Sequence, residues 1–364
     1  MEHKRKRKGL ALRGVVMLLA VGLLVAAHRG PLGQRAALLA VGLRQPAQAV
    51  QALEQLTYST EEPSPVPTIP TYTYTSPGDT TVADVPMAPT IQTPPITTVS
   101  PPDEKGDGGR VIEQVMNTGD RHKSGIATIN RSGTAVDIAA ALARELTLSL
   151  TETKEPQVLI LHTHGSEGYM TYDAGYYNAG DRNRTEDHTK NVCAVGEAVR
   201  LTLEAYGITA IHDTTVHDRP VYSGAYTRSA AAAQAWLEQY PSIQVVLDLH
   251  RDAVMQGSTD IVKPTAEVEG KKAAQMMLIT GVVSTDALPH PRWQENLTFA
   301  TRLQQTLDAL SPDLMRPLNT VASRYNQHLS PGWVLVEMGA EGNTMEEAVY
   351  SARILGETLA ELLD

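Results

Sequence analysis

The stretch Gln157-Val158-Leu159-Ile160-Leu161-His162-Thr163-His164 decides the fold of this chain. Its apolar residues 158–161 are followed at once by polar ones, which is typical of a short strand buried on both faces. Similar apolar runs occur at residues 208–211, 245–249, 276–283 and 333–336. We therefore expect a sheet of buried strands.

Helical patterns separate these runs. From Val192 to Leu203 apolar side chains recur on one helical face, and Gly207 follows in the position of a C-cap. The other long helical patterns lie in residues 229–240, 295–310 and 345–363. Strands that alternate with helices predict an α/β fold with a mostly parallel sheet flanked by helices. We expect this catalytic domain to span residues 157–364.

The N-terminus has the pattern of a membrane anchor. Basic residues 4–8 precede an apolar run over residues 9–27 that only Arg13 interrupts. About 18 such residues span a hydrocarbon core roughly 30 Å thick, and a basic cluster favours the cytoplasmic side. We predict a cytoplasmic tail at residues 1–8, a transmembrane helix at residues 9–28 and an extracytoplasmic remainder. A cleaved signal peptide is the alternative, and both interpretations predict export.

The composition changes between the predicted anchor and the predicted domain. Pro and Thr dominate residues 57–109, as in Glu62-Pro63-Ser64-Pro65-Val66-Pro67. Such a segment has too few apolar side chains to offset the entropy lost on ordering. We predict a disordered Pro/Thr-rich linker at residues 29–110, which acts as a tether, and a connecting segment at residues 111–156.

Charge and cysteine content exclude several classes of protein. The 364-residue chain has 31 Lys and Arg against 41 Asp and Glu, a net charge of −10. This balance argues against a nucleic-acid partner, because neutralising phosphates needs a basic face. The single cysteine, Cys193, excludes an internal disulfide and a cysteine-based zinc site.

Polar residues follow three of the predicted strands. His164 lies just past the first strand, His250 ends the third and Glu337 ends the last. In such sheets ligands bind at the carboxyl ends of the strands, and Zn²⁺ takes imidazole and carboxylate when no thiolate is offered. Burying the carboxylate of Glu337 is costly without a partner. A metal-bound water is such a partner, and Glu337 could take its proton. The pattern predicts a catalytic zinc site with two histidine ligands and Glu337 as the general base.

A third zinc ligand is needed, and the residues alone leave its identity open. Asp187 lies just before the helix that starts near residue 191 and is one choice. A carboxylate at a helix N-terminus is equally well explained by the helix dipole. Glu167 and Glu186 are the alternatives.

Six stretches of the sequence resemble the stage II sporulation protein P family. In order they are VLILHTHGSEGY, NVCAVGEAVRLTLEAYGITAIHD, VVLDLHRDAV, QENLTFATRLQ, SRYNQHLSPG and VEMGAEGNTMEEAVYSA. The resemblance implies a membrane-anchored, zinc-dependent N-acetylmuramoyl-L-alanine amidase that removes stem peptides from peptidoglycan and also cuts peptide cross-links. It further implies a place in the mother-cell membrane of sporulating cells, facing the septal or intermembrane space. Stage II sporulation proteins D and M are the implied partners.

The resemblance also implies roles for individual residues. His164 and His250 are similar to the zinc histidines of the amidase class, and Glu337 is similar to its catalytic glutamate. Asp187 stands where that class has a glutamate ligand, and Glu167 is the alternative. The substrate-binding positions that the resemblance implies are Arg251, Asn326 and Gln327.

Two other functions remain open at this point. A metal-dependent deacetylase or carboxypeptidase of the cell wall would use the same two histidines and glutamate. A non-catalytic wall-binding scaffold would keep the fold and lose the metal, which the presence of all three residues disfavours. Muropeptides tested against acetylated sugars would separate the enzymes.

Overall fold

The computed structural model describes residues 89–363, apart from residues 103–105, 118, 122–124, 149, 152, 182–183, 258 and 312. The predicted tail at residues 1–8, the anchor at 9–28 and most of the linker lie outside the described residues. Among the helices of the described part, none combines the length and the apolar character that a membrane crossing requires. Retention of an anchor stays a prediction.

Strands and helices alternate through the described part of the chain, which confirms the α/β prediction. The strands are β1 Val111–Gln114, β2 Asp120–Arg121, β3 Ala127–Asn130, β4 Val158–Leu161, β5 Ala210–His212, β6 Val245–Asp252, β7 Met255–Gln256, β8 Asp260–Val268, β9 Lys271–Ala274, β10 Met276–Gly281, β11 Leu318–Val321 and β12 Trp333–Ala340. The helices are α1 Ile138–Ala143, α2 Val192–Ala205, α3 Ala225–Gln239, α4 Trp293–Leu310 and α5 Met345–Leu363, with a 3₁₀ turn at Gln327–Leu329.

The central sheet has the strand order β2-β3-β11-β10-β12-β6-β4-β5. Strands β12, β6, β4 and β5 run parallel to one another, whereas β10 runs antiparallel to β12 and β2 antiparallel to β3. The sheet is therefore mixed, and the predicted mostly parallel sheet is wrong. The chain reaches β10 through strands β7 to β9 of a second, smaller sheet, without the crossover helix that usually joins parallel strands.

Apolar side chains on both faces of the central strands form the core. All four residues of β4 are fully buried, as are Val245 to Leu247 at the start of β6. Helices α2 and α5 lie against each other over one face, and their contact is close. A Cβ added at Gly356 would lie 2.7 Å from the Cβ of Thr202, so only glycine fits there without a shift of the helices.

The end of the predicted linker is attached to the domain. Pro94 is buried and Ile96 packs against the core. The backbone N–H of Thr97 donates to the carbonyl of Thr189 at 3.0 Å, and that of Val99 to the carbonyl of Thr171 at 2.8 Å. This attachment differs from the free tether predicted up to residue 110, because the domain supplies burial and hydrogen-bond partners that composition does not reveal.

The predicted connecting segment is also part of the fold. Strand β1 pairs with β8 in the smaller sheet, and β3 pairs with β11 in the central sheet. Helix α1 contributes Ile138, Ala141 and Leu142 to the main core. Residues before 157 therefore complete both sheets of the domain.

Candidate metal centre

Three neighbouring parallel strands bring the predicted site residues to one edge of the central sheet. Strand β6 lies between β4 and β12, and the register places Glu337 of β12 beside His250 of β6. His164 follows three residues after the end of β4. Because the carboxyl ends of parallel strands share an edge, the three residues lie at the same edge of the sheet.

His164, Glu167 and His250 form a buried cluster in which the potential ligand atoms all lie within 4.8 Å of one another. His164 Nδ1 is 3.6 Å from Glu167 Oε1, and His250 Nδ1 is 3.3 Å from Glu167 Oε2. The two imidazole rings meet edge to face, with their centroids 5.1 Å apart. Two imidazoles and one carboxylate are a donor set of catalytic zinc sites, so these residues fit the ion that the sequence predicts.

The structure does not bring Asp187 to this cluster. Its carboxylate accepts hydrogen bonds from the N–H and the hydroxyl of Thr189, at 3.0 and 2.7 Å, and pairs with Lys190 at 2.9 Å. The bonds to Thr189, together with Lys190, lower the pKa of Asp187 to about 2. Its side chain is 41% exposed. Asp187 thus stabilises the turn before α2 and lies outside the cluster, and its role as a zinc ligand stays a prediction.

Glu167, the alternative ligand, reaches the cluster through a tight turn. Its backbone N–H donates to the carbonyl of His164 at 3.1 Å, which folds the two side chains onto the same side. Glu186, the other alternative, is 68% exposed and lies 3.7 Å from Arg219. The position just before α2 indicated Asp187 and could not reveal the turn that brings Glu167 to His164. The N-cap of α2 is Asn191, whose side chain accepts a hydrogen bond from the N–H of Cys193.

Two arginines hold the Glu167 carboxylate. The backbone N–H of Arg251 donates to Oε2 at 3.0 Å, and the guanidinium of Arg184 donates to Oε1 at 3.1 Å. Burial opposes ionisation of Glu167, but its bonds to His164 and His250 and the charge of Arg184 hold its pKa well below the usual range. The carboxylate is therefore kept in the anionic form that ligates a metal.

Glu337 lies beside the cluster with an unused oxygen. The residue is 8% exposed, and among the described residues no group hydrogen-bonds to its Oε2. Burial, with the charge of Asp252, raises the pKa of Glu337 to about 8. A carboxyl that titrates near neutrality and faces a candidate metal site is suited to general acid and base work.

The side chain of Arg251, a predicted substrate-binding residue, makes its contacts within the protein. It is 7% exposed, and its Nε donates to the carbonyl of Gly168 at 2.7 Å. Its Nη1 lies 3.4 Å from Glu341 Oε2. The side chain joins the loop after β4 to the end of β12, and this packing was invisible in the sequence.

Asn326 and Gln327, the other predicted substrate-binding residues, are buried as well. Asn326 adopts a left-handed backbone with φ of 59° and donates from Nδ2 to the carbonyl of Tyr226 at 2.9 Å. Gln327 accepts from the N–H of Gly281 at 2.8 Å and donates to the carbonyl of Ile279 at 2.9 Å. Both side chains satisfy backbone groups of neighbouring elements.

The structure adds two residues that the sequence did not indicate. The ring of Tyr222 stacks on His164 with centroids 4.7 Å apart, and the guanidinium of Arg184 lies 4.7 Å from the centroid of the same ring. Arg184 also pairs with Asp218 at 2.6 Å. These residues come from separate loops, so only tertiary structure brings them together.

Similar solved structures cover little more than half of the chain. The CwlD amidase from Clostridioides difficile, solved in complex with the GerS lipoprotein, is 14% identical, with 57% of this chain and 100% of that chain covered and a TM-score of 0.35. The N-acetylmuramyl-L-alanine amidase Ami1 from Mycobacterium smegmatis is also 14% identical, with 57% and 96% covered and a TM-score of 0.32. Scores at this level do not establish a common fold or function.

Sequence relatives are more informative. Stage II sporulation protein P of Bacillus subtilis (strain 168) is 26% identical over 216 residues, which are 56% of this chain and 50% of that protein. The chain thus matches about half the length of this relative. The family model of stage II sporulation protein P matches residues 96–360, which include both sheets and every residue of the cluster. The chain belongs to the stage II sporulation protein P family.

Proposed function

We propose that this protein is a zinc-dependent N-acetylmuramoyl-L-alanine amidase that acts on peptidoglycan during sporulation and also cuts peptide cross-links. One observation carries the proposal: a buried His164, Glu167 and His250 cluster beside the unpartnered carboxyl oxygen of Glu337. Membership of the sporulation family supports the substrate and the cellular setting.

The three clustered side chains would hold the zinc ion. When bound, the ion supplies a Lewis acid that polarises the scissile carbonyl and makes a water a stronger nucleophile at neutral pH. The anionic state of Glu167 keeps this ligand ready for the ion.

Glu337 would move the proton of the reaction. In the proposed hydrolysis, the water oxygen bonds to the lactyl carbonyl carbon of muramic acid, and the bond from that carbon to the L-alanine nitrogen breaks. Glu337 accepts the proton of the water at Oε2 and passes it to the leaving amine. A carboxyl whose pKa is raised by burial is a stronger base than an ordinary glutamate, which favours uptake of the proton from the water and its retention until the amine leaves.

The test is metal analysis of the purified full-length chain, followed by mass spectrometry of digested muropeptides. We expect about one zinc per chain and release of stem peptides. Glu337→Gln should keep the zinc and lower both peptide release and cross-link cutting about 10²–10⁴-fold. Exposed Glu346 on α5 provides the matched control, because Glu346→Gln should leave both rates unchanged.

Three results would overturn the proposal. The first is a wild-type chain without stoichiometric metal, and the second is a Glu337→Gln variant with near wild-type rates. The third is activity towards acetylated sugars or free peptide ends in place of the muramoyl amide, which would favour the deacetylase or carboxypeptidase. A chain that binds wall material without cutting it would favour a scaffold.

Localisation and partners are part of the proposal. The basic and apolar pattern of residues 4–27 favours a single-pass anchor with the catalytic domain outside the cytoplasm. Pairing with stage II sporulation proteins D and M is implied by the family resemblance alone. Recovery of either protein by co-purification from membranes of sporulating cells would support it.

A further inference from the structure

A chain of buried polar contacts runs from the 3₁₀ turn through the domain to the candidate metal centre. It connects Asn326, Ser229 of α3, Thr163 in the loop after β4, and Asp248 and His250 of β6. Each of the five residues is at most 4% exposed. The proposed reaction uses only His250 among them, so the other four need a separate explanation.

The direction of each hydrogen bond follows from the chemistry of the groups. An ionised Asp248 can only accept, so Thr163 donates to it twice, from its N–H at 2.9 Å and its hydroxyl at 2.8 Å. The hydroxyls of Thr163 and Ser229 are 2.8 Å apart. The hydroxyl proton of Thr163 is committed to Asp248, and the other acceptor near Ser229 Oγ, the carbonyl of Tyr226, is more distant at 3.3 Å. The arrangement therefore favours donation from Ser229 to Thr163.

Asn326 completes the chain at its outer end. Its Nδ2 donates to Ser229 Oγ at 3.1 Å and to the carbonyl of Tyr226 at 2.9 Å. Every donor along the chain therefore points towards the carboxylate of Asp248. Bonds aligned in this way strengthen one another in a medium of low dielectric constant.

The inner end of the chain meets His250 on the side away from Glu167. Asp248 Oδ1 lies 3.0 Å from His250 Nε2, whereas His250 Nδ1 faces Glu167 Oε2 at 3.3 Å. The contact with Asp248 is a close approach of a ring nitrogen to a carboxylate and not a well-aligned hydrogen bond. The carboxylate of Asp248 therefore lies on the Nε2 side of the ring, and Nδ1 lies on the side of the cluster.

We propose that the Asn326–Ser229–Thr163–Asp248 chain is a positioning device that fixes the ring of His250 with Nδ1 towards the metal. The inference rests on the proposed zinc site and deepens it. Carboxylates behind ligating histidines fix the orientation of the ring and make it a stronger ligand. A fully buried Asp248 would be costly alone, and the donors of Thr163 compensate its charge.

The test is zinc affinity of the full-length chain, measured by competition with a chromophoric chelator. Asp248→Asn keeps the size of the side chain and removes its charge, so we expect the zinc affinity to fall about 10–100-fold. Thr163→Val should give a smaller loss in the same direction, and Thr163→Ser, which keeps the hydroxyl, should restore wild-type affinity. With Co²⁺ in place of zinc, the visible absorption of Asp248→Asn should differ from that of the wild type.

Thr202 provides the matched control. It is a fully buried threonine whose hydroxyl donates to the carbonyl of Ala198 within α2, so Thr202→Val should leave zinc affinity unchanged. Wild-type affinity and Co²⁺ spectrum in both Asp248→Asn and Thr163→Val would overturn the inference. Equal losses in Thr163→Val and Thr202→Val would also overturn it, because they would indicate general destabilisation. A wild-type chain that binds no zinc would overturn the proposed function, and this inference with it.

Discussion

The choice between Glu167 and Asp187 as the third ligand gives the sharpest test of the candidate centre. Glu167 belongs to the buried cluster, whereas Asp187 is 41% exposed and bonded within its own turn. Substitution of a residue behind a metal ligand lowers metal affinity by at most roughly 100-fold. We expect Glu167→Gln, which changes a ligand itself, to lower zinc affinity by more than this. Asp187→Ala should leave the affinity unchanged.

The stability of the metal-free chain separates loss of a ligand from loss of the fold. In Glu167→Ala the N–H of Arg251 loses its acceptor, which costs about 1–3 kcal/mol when the donor is buried. The pair with Arg184, whose side chain is 27% exposed, adds at most about 1 kcal/mol. Glu167→Gln keeps an oxygen for Arg251, so its free energy of unfolding should fall less than that of Glu167→Ala.

The assay is chelator competition for zinc affinity and urea unfolding in EDTA for stability, on the same preparations. Asp187→Ala loses only exposed contacts, so we expect its unfolding free energy to change by no more than about 1 kcal/mol. Wild-type zinc affinity in Glu167→Gln would refute the ligand assignment. Zinc loss in Asp187→Ala would restore the original prediction and contradict the structure.

Two further predictions concern stability in EDTA. Burial and the charge of Arg324 lower the pKa of His290 to about 4. Because the pKa in the folded state lies below that in the unfolded state, the contribution of neutral His290 to the free energy of unfolding is complete above pH 6.5. It is lost as the pH falls towards 4. Between pH 7.5 and 5, the free energy of unfolding measured in urea should therefore fall by about 1–2 kcal/mol less in His290→Leu than in the wild type. An equal fall in the two proteins would contradict this. Thr97→Pro removes the N–H that donates to the carbonyl of Thr189 and should lower the free energy of unfolding by about 1 kcal/mol. The control is Thr98→Pro at the exposed neighbouring residue. Equal melting temperatures of the two variants would show that the attached segment does not stabilise the domain.

Much of the fold follows from local pattern. The run Val158 to Leu161 predicted a strand buried on both faces, and the structure places it, fully buried, between β6 and β5 of the central sheet. Helix α2 ends near Gly207 as its apolar period predicts. The antiparallel direction of β10 did not follow, because an apolar run carries no information about which way its strand runs.

The sequence by itself determined which residue types stand at the ends of three strands, and hence that His164, His250 and Glu337 share one edge of the sheet. This inference works because strand ends are local features and parallel strands put their ends together. The third carboxylate was decided only by tertiary structure. The position of Glu167 depends on a turn that folds it back onto His164. The surroundings of Asp248 depend on side chains that come from distant elements. Such contacts join residues as far apart as Tyr226 and Asn326, which are separated by 100 positions, and no periodicity within one element can specify them.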